Sequence, residues 1–257
     1  MAKLEALLFD VDGTLADTER DGHRVAFNRA FAEAELDWEW SPELYGRLLA
    51  VTGGKERVRF YLEKFNTAFA RPENLDEFIA GLHRAKTRHY TQMLAEGLIP
   101  LRPGVRRLID EARAAGLRLA VATTTTPENV TALLEHALAP GATDWFEVIA
   151  AGDVVPAKKP APDIYLYAME KMGLAPEACI AFEDSHNGIL SSGGAELATI
   201  VAVNGYTRDD AFDGAAIVLD NWGEPEQPFT VLAGEAAGQT FLDVALVRRL
   251  HEEHHGA

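Results

Sequence analysis

The chain has 257 residues, room for one large domain or one domain with a sizeable insertion, and its 47% hydrophobic and 25% charged residues describe an ordinary globular protein. A net charge of −16 argues against nucleic acid or an anionic membrane surface as a primary partner, because both need clustered Lys and Arg. The single cysteine, Cys179, excludes an internal disulfide and fits a reducing compartment; it lies in the apolar run Cys179-Ile180-Ala181-Phe182 and reads as a small buried hydrophobe.

The first element is Ala6-Leu7-Leu8-Phe9, an apolar run that reads as a strand buried on both faces. It ends in Asp10-Val11-Asp12-Gly13-Thr14, two carboxylates two residues apart. In an extended chain side chains at i and i+2 share a face, so both can enter one cleft at the strand's carboxyl end. Two like charges so close repel by a few kcal/mol and call for a cation, a shared proton, or both.

From Asp17 to about Gly97 the periodicity is helical throughout. Val25, Phe27, Ala30 and Phe31 mark one helix, and Ser41-Pro42 caps a second. Val58, Tyr61, Leu62 and Phe65 mark a third; Leu75, Phe78, Ile79, Leu82 and Ala85 mark a fourth. This predicts a helical insertion over 18–97, with 1–17 and 98–257 forming a discontinuous core.

From Leu98 strands and helices alternate. Strands are expected at 117–123, 148–151, 180–183, 199–203 and 216–219, with helices opening near Pro103, Pro127, Pro162 and Asn187. That alternation predicts an α/β fold with a Rossmann-like parallel sheet covered on both faces. Residues 221–239 read as a Pro- and Gly-rich connector before a closing helix through Phe241, Val244 and Leu250. His251, His254 and His255 read as a solvated tail. No role attaches to 221–257. No apolar run approaches 18 residues and no signal-peptide pattern opens the chain, so the expectation is a cytoplasmic protein, or a plastid stromal one if a transit peptide has been removed.

Four strand ends carry polar groups suited to one reaction: Asp10 and Asp12; the hydroxyl run Thr123 to Thr126; Lys158-Lys159-Pro160; and Glu183-Asp184-Ser185. Carboxylates from the first and last would make an oxygen-rich Mg²⁺ site. A hydroxyl, backbone N–H groups opening a helix and an ammonium would make a phosphate site. Together they spell phosphoryl transfer. Taken alone, Thr123 would also suit a helix cap and Lys158 an exposed surface charge.

Asp10-Val11-Asp12-Gly13-Thr14, Thr123, Lys159-Pro160 and Glu183-Asp184, in that order, resemble the four signatures of the haloacid dehalogenase-like hydrolases, and the helical insertion resembles that family's small cap. The resemblance implies Asp10 as nucleophile, forming an aspartyl-phosphate, and Asp12 as general acid and then base. That division requires Asp10 ionised while Asp12 holds a proton. It implies Mg²⁺ held by Asp10, the backbone carbonyl of Asp12, and Asp184, with Glu183 alongside, and Thr123 and Lys159 on the non-bridging oxygens. The dehalogenases of the family lack the second aspartate, so Asp12 points to phosphate esters.

Asp17-Thr18-Glu19, His23 to Asn28, Thr52 to Arg57, and His83 to Thr87 are further similar to the CbbY-type phosphatases of carbon fixation, which convert xylulose-1,5-bisphosphate, an inhibitory by-product of Rubisco, to xylulose 5-phosphate. A bisphosphate carries a second dianion, for which Lys55, Arg57, His83, Arg84 and Lys86 would supply cations. Gly53 and Gly54 would admit an oxyanion to the backbone, with Glu19, Glu56 and Thr124 completing the substrate contacts. Alternatives are a mutase of the β-phosphoglucomutase type and a phosphoglycolate-type phosphatase. The expected partner is a small sugar phosphate, with no nucleic acid or membrane, and the chain is expected to be monomeric. One departure is Glu196, where relatives carry a helix-ending glycine; a left-handed backbone there would cost about 1 kcal/mol.

Overall fold

The computed structural model describes residues 3–256. Its centre is a seven-stranded sheet in the order β3-β2-β1-β4-β5-β6-β7. The strands are β1 (Ala6–Phe9), β2 (Arg118–Thr123), β3 (Val148–Ala151), β4 (Cys179–Glu183), β5 (Ala198–Ala202), β6 (Ile217–Leu219) and β7 (Val231–Gly234). All neighbours pair in parallel except β6 and β7.

β7 departs from the expected connector over 221–239. Its segment, Val231-Leu232-Ala233-Gly234, is exposed at every position and so shows no buried apolar run to read.

Alternating residues of β1 face opposite ways, as pleating demands: Leu7 and Phe9 join one core cluster, Ala6 and Leu8 the other. The first cluster is covered by α5 (Val105–Ala114), α6 (Pro127–Leu133) and α9 (Val244–His255), the second by α7 (Asp163–Met172). α8 (His186–Gly194) covers β5 and β6 on a smaller cluster through Ile189, Val201 and Val218. The sheet is thus doubly covered. β1 lies between β2 and β4, where the strand order reverses, and the crevice above such a reversal is where ligands bind in this architecture.

Between β1 and β2 a π-helical turn (Glu19–His23) leads into α1 (Arg24–Glu33), then α2 (Pro42–Leu48), α3 (Gly54–Lys64) and α4 (Leu75–Ala95). Ser41 and Asn74 cap α2 and α4 by accepting from Leu44 N and Glu77 N. These helices bury an aromatic cluster of their own: Phe31, Trp38 and Trp40 pack with ring centroids 4.9–5.3 Å apart, and Tyr45 and Tyr61 stand beside Trp40.

The C-terminal segment is built into the core. Trp222 is buried, with its ring 5.8 Å from Phe9 and 5.2 Å from Phe182, the residues immediately before Asp10 and Glu183. α9 starts at an Asp243 cap and packs Leu246, Val247 and Leu250 inward. The expected solvated histidine tail is corrected here: His251 is fully buried and its Nε2 lies 2.9 Å from the Glu177 carbonyl, because the helix carries it onto the sheet. Glu196 does adopt φ +62°, just beyond α8. No helix among the described residues is long and apolar enough to cross a membrane.

Candidate active site

The register that aligns Phe9 with Phe182 puts Asp10, just after β1, level with Glu183, the last residue of β4. Lys159, on the loop between β3 and α7, reaches across both: its ammonium donates to Asp10 Oδ1 at 2.7 Å and to Glu183 Oε1 at 2.6 Å. The Tyr165 hydroxyl also donates to Glu183 Oε1, at 2.5 Å. Asp184 accepts from Asn204 Nδ2 at 2.6 Å and lies so close to Gly13 that a Cβ there would collide with it. Gly188 is required in the same way beneath Glu183. Thr123 is buried at the end of β2, its hydroxyl accepting from Thr125 N at 3.3 Å.

Asp10, Glu183 and Asp184 each present an oxygen within 4.8 Å of the others. Burial pushes the Asp10 carboxyl up, to about 7, against the pull of Lys159, and the charge on Glu183 adds to the rise. Burial also raises Asp184 well above the carboxylate range, with Asp10 and Glu183 next among the causes. The Lys159 ammonium bonds two of these three buried carboxylates, the Arg102 charge acts on Asp184, and Glu183 Oε2 is buried with no hydrogen-bond partner. A set of hard oxygen donors short of positive charge fits a divalent cation of the Mg²⁺ class better than a soft transition metal.

Asp12 faces a different environment. Its Oδ1 accepts from the Thr18 hydroxyl at 2.6 Å and lies 2.8 Å from His23 Nε2. Burial works to raise this carboxyl, but the His23 charge and the bonds from His23 and Thr18 outweigh it and hold Asp12 well below the usual carboxylate range. Without a cation among Asp10, Glu183 and Asp184, the two carboxylates are therefore pushed in opposite directions, Asp10 up and Asp12 down. The physical reason is that Asp12 faces His23, Thr18 and Lys86 from the inserted helices and the turn before them, while Asp10 sits among carboxylates.

Two adjoining cavities of about 520 and about 400 Å³ open above these residues. Asp10, Asp12, Thr123, Thr124, Lys159 and Asp184 line the smaller. Glu19, Gly53, Gly54, Lys55, Glu56, Arg57, His83, Arg84 and Lys86 all line the larger, together with Asp12 and Thr124. The sequence-selected residues therefore converge, but several are already engaged. Arg57 donates to the Tyr45 hydroxyl at 2.7 Å and to Glu19 at 3.4 Å; Tyr45 itself donates to Glu19 at 2.5 Å. Arg84, largely exposed, pairs with Glu77 at 2.6 Å.

Burial, helped by the charges of Lys86 and Lys55, lowers the His83 pKa to about 3 and so favours its neutral imidazole in the absence of an anion. Burial likewise lowers Lys86 to about 8, opposed by Asp12 and Glu19; its ammonium rests 5.4 and 5.2 Å from the Phe27 and Tyr90 rings. The reading of Lys158 is corrected. It is a bridge rather than a free surface charge, 3.1 Å from both Glu56 on α3 and Asp153 after β3, while Lys55 reaches Asp153 at 3.3 Å.

Tyr45, Tyr165, Asn204 and the Thr18–His23 pair were not singled out from the sequence as site residues. The only signal for Thr18 and His23 was their place in stretches similar to the CbbY-type phosphatases; Asn204 and Tyr165 carried none.

Comparison with known proteins gives a consistent picture. Residues 4–195 match the family model described as haloacid dehalogenase-like hydrolase. The plasmid-borne CbbY protein of Cupriavidus necator is 46% identical over 251 residues, 96% of this chain and 97% of that protein. CbbY of Rhodobacter capsulatus is 52% identical over 213 residues, 83% of this chain and 91% of that protein. A crystal structure of a CbbY mutant from Rhodobacter sphaeroides in complex with xylulose-1,5-bisphosphate, 48% identical, superposes with a TM-score of 0.79 over 86% of this chain and 96% of that one.

Proposed function

The chain belongs to the haloacid dehalogenase-like hydrolases and is a CbbY-type phosphatase, and from that premise we propose that it hydrolyses xylulose-1,5-bisphosphate to xylulose 5-phosphate and phosphate, in a Mg²⁺-dependent reaction through an aspartyl-phosphate on Asp10. The observation that carries the reading is the Lys159 ammonium bridging Asp10 and Glu183 with Asp184 beside them, in a cavity that shares Asp12, Arg57 and Thr124 with a neighbouring one walled also by Lys55 and Lys86.

Asp10, Glu183 and Asp184, with the backbone carbonyl of Asp12, are the groups that would hold Mg²⁺. Bound there, the ion would neutralise the carboxylates and the phosphoryl charge. Lys159 keeps the Asp10 carboxylate oriented, and Lys159 and Thr123 stand where non-bridging oxygens gather charge in the transition state. An oxygen of Asp10 attacks phosphorus, the bond to the sugar oxygen breaks, and that oxygen takes its proton from Asp12. A water then gives its proton to Asp12 and attacks the aspartyl-phosphate, releasing phosphate and restoring Asp10.

Asp12 must gain a proton before it can act as the acid. The arriving dianion disfavours a second negative charge beside it, so Asp12 is expected to take up a proton as substrate binds. Residues 18–97 act as the cap, excluding water and offering Lys55, Arg57 and Lys86 to the second phosphate.

The test is phosphate release over a panel of sugar mono- and bisphosphates, with and without Mg²⁺. Xylulose-1,5-bisphosphate is expected to be hydrolysed with the highest kcat/KM, and only with metal. Turnover of β-glucose 1-phosphate without phosphate release would indicate a mutase instead, and preference for phosphoglycolate would reject the bisphosphate. Asp10→Asn is expected to lower kcat by about 10⁴-fold or more, as loss of a nucleophile does.

A further inference from the structure

Arg102 lies outside the constellation above, where the chain returns from α4 to the sheet. Its N–H donates to the Leu15 carbonyl at 2.9 Å, and its side chain is 6% exposed. The guanidinium donates to four main-chain carbonyls from three separate segments: Gly13 after β1, Ala202 at 2.8 Å and Val203 at 2.5 Å at the end of β5, and Asp220 at 2.8 Å after β6. Its acidic neighbour, Asp17, is 3.5 Å away and 57% exposed. The planar, always-charged fork of arginine suits this divergent set; a lysine ammonium has three donors and no fork.

Two of those carbonyls belong to segments that flank Asp184. Gly13 packs against its carboxylate so tightly that no side chain fits. Asn204, the residue after Val203, donates to Asp184 Oδ2 at 2.6 Å. Arg102 therefore fixes both walls between which Asp184 is held. We infer that Arg102 is a positioning residue that sets the Asp184 carboxylate for the divalent cation, acting through Gly13 on one side and the Val203–Asn204 peptide on the other. The inference rests on the metal-dependent reading of the site.

The experiment is isothermal titration of Mg²⁺ alone into the full chain, without substrate, for wild type, Arg102→Lys, Arg102→Met and Asn204→Ala, with thermal melts of each. Partners that orient metal ligands typically cost 10–100-fold in metal affinity when removed, so Kd for Mg²⁺ is expected to rise about tenfold or more in all three variants. KM for the phosphate ester at saturating Mg²⁺ should stay near its wild-type value, a split that a merely structural tie would not produce. Wild-type Mg²⁺ affinity in a folded Arg102→Lys, with only Tm lowered, would overturn the inference and leave Arg102 a strut between strands. If the Arg102 variants fold poorly, Asn204→Ala decides, and an unchanged Kd there refutes the clamp. Failure of the wild type to bind Mg²⁺ would refute the metal reading itself, and this inference with it.

Discussion

The Asp12 carboxylate lies 2.8 Å from His23 Nε2, and this pairing, together with the Thr18 hydroxyl, overcomes burial to keep Asp12 ionised. Replacing His23 by Gln removes the imidazole while leaving a hydrogen-bond donor. The Asp12 pKa is then expected to rise, and the limb of the pH–kcat profile that reports its protonated form to move toward higher pH. Steady-state kinetics from pH 5 to pH 9 on His23→Gln and wild type would show it. An unmoved limb would mean that Asp12 does not set that step.

Metal binding and stability should be linked through Asp10. Its folded-state pKa is about 7, against about 3.9 for an unfolded chain. The metal-free native state therefore holds a proton that the unfolded chain releases. The associated stabilisation is complete below about pH 4 and is lost as pH rises through about 7. Saturating Mg²⁺ should restore stability where the carboxylate is bare, adding about 2.7 kcal/mol at a hundredfold excess over Kd. At pH 5 the ion must displace the proton, so its gain in Tm is expected to be smaller than at pH 8. Melts at the two pH values, with and without Mg²⁺, check this, and Asp10→Asn should flatten the difference.

Lys86 offers a charge that fades within the working range. Burial holds its pKa near 8, so the free enzyme loses this cation as pH rises past that point. A bond between a charged donor and a phosphate is worth about 1.5–3 kcal/mol, so Lys86→Met should raise KM for a bisphosphate about tenfold or more. In wild type KM is expected to climb above pH 8, and in Lys86→Met that climb should vanish. A pH series of KM on both proteins is the measurement.

Glu196 occupies a left-handed position, φ +62°, at an exposed site after α8. Glu196→Gly should stabilise the protein by about 0.5 kcal/mol, the αL penalty of a side chain being partly offset by the greater entropy of an unfolded glycine. Urea denaturation would register the shift in midpoint, with kcat unchanged.

The parts of the molecule legible from sequence are those written as continuous patterns. β1 and β4 are unbroken apolar runs stopped by carboxylates, and the four signatures sit at strand ends because a parallel sheet gathers them there. The helices at 54–64 and 75–95 kept their 3.6-residue periodicity. What escaped notice depends on tertiary partners. β7 is exposed at each position and carries no burial pattern. His251 looks like tail until α9 is laid on the sheet. Lys158 looks like surface until Glu56 and Asp153 close on it. The opposite shifts of Asp10 and Asp12 have the same origin: they are set by the elements that surround each carboxylate, not by the two-residue spacing between them.

Trp222 gives the order of synthesis a meaning. Its indole wedges beneath Phe9 and Phe182, the props of Asp10 and Glu183, yet it leaves the ribosome some forty residues after the last signature, and α9 follows later still. A nascent chain bearing all four signatures thus lacks the floor on which two of them rest until Trp222 has followed them out.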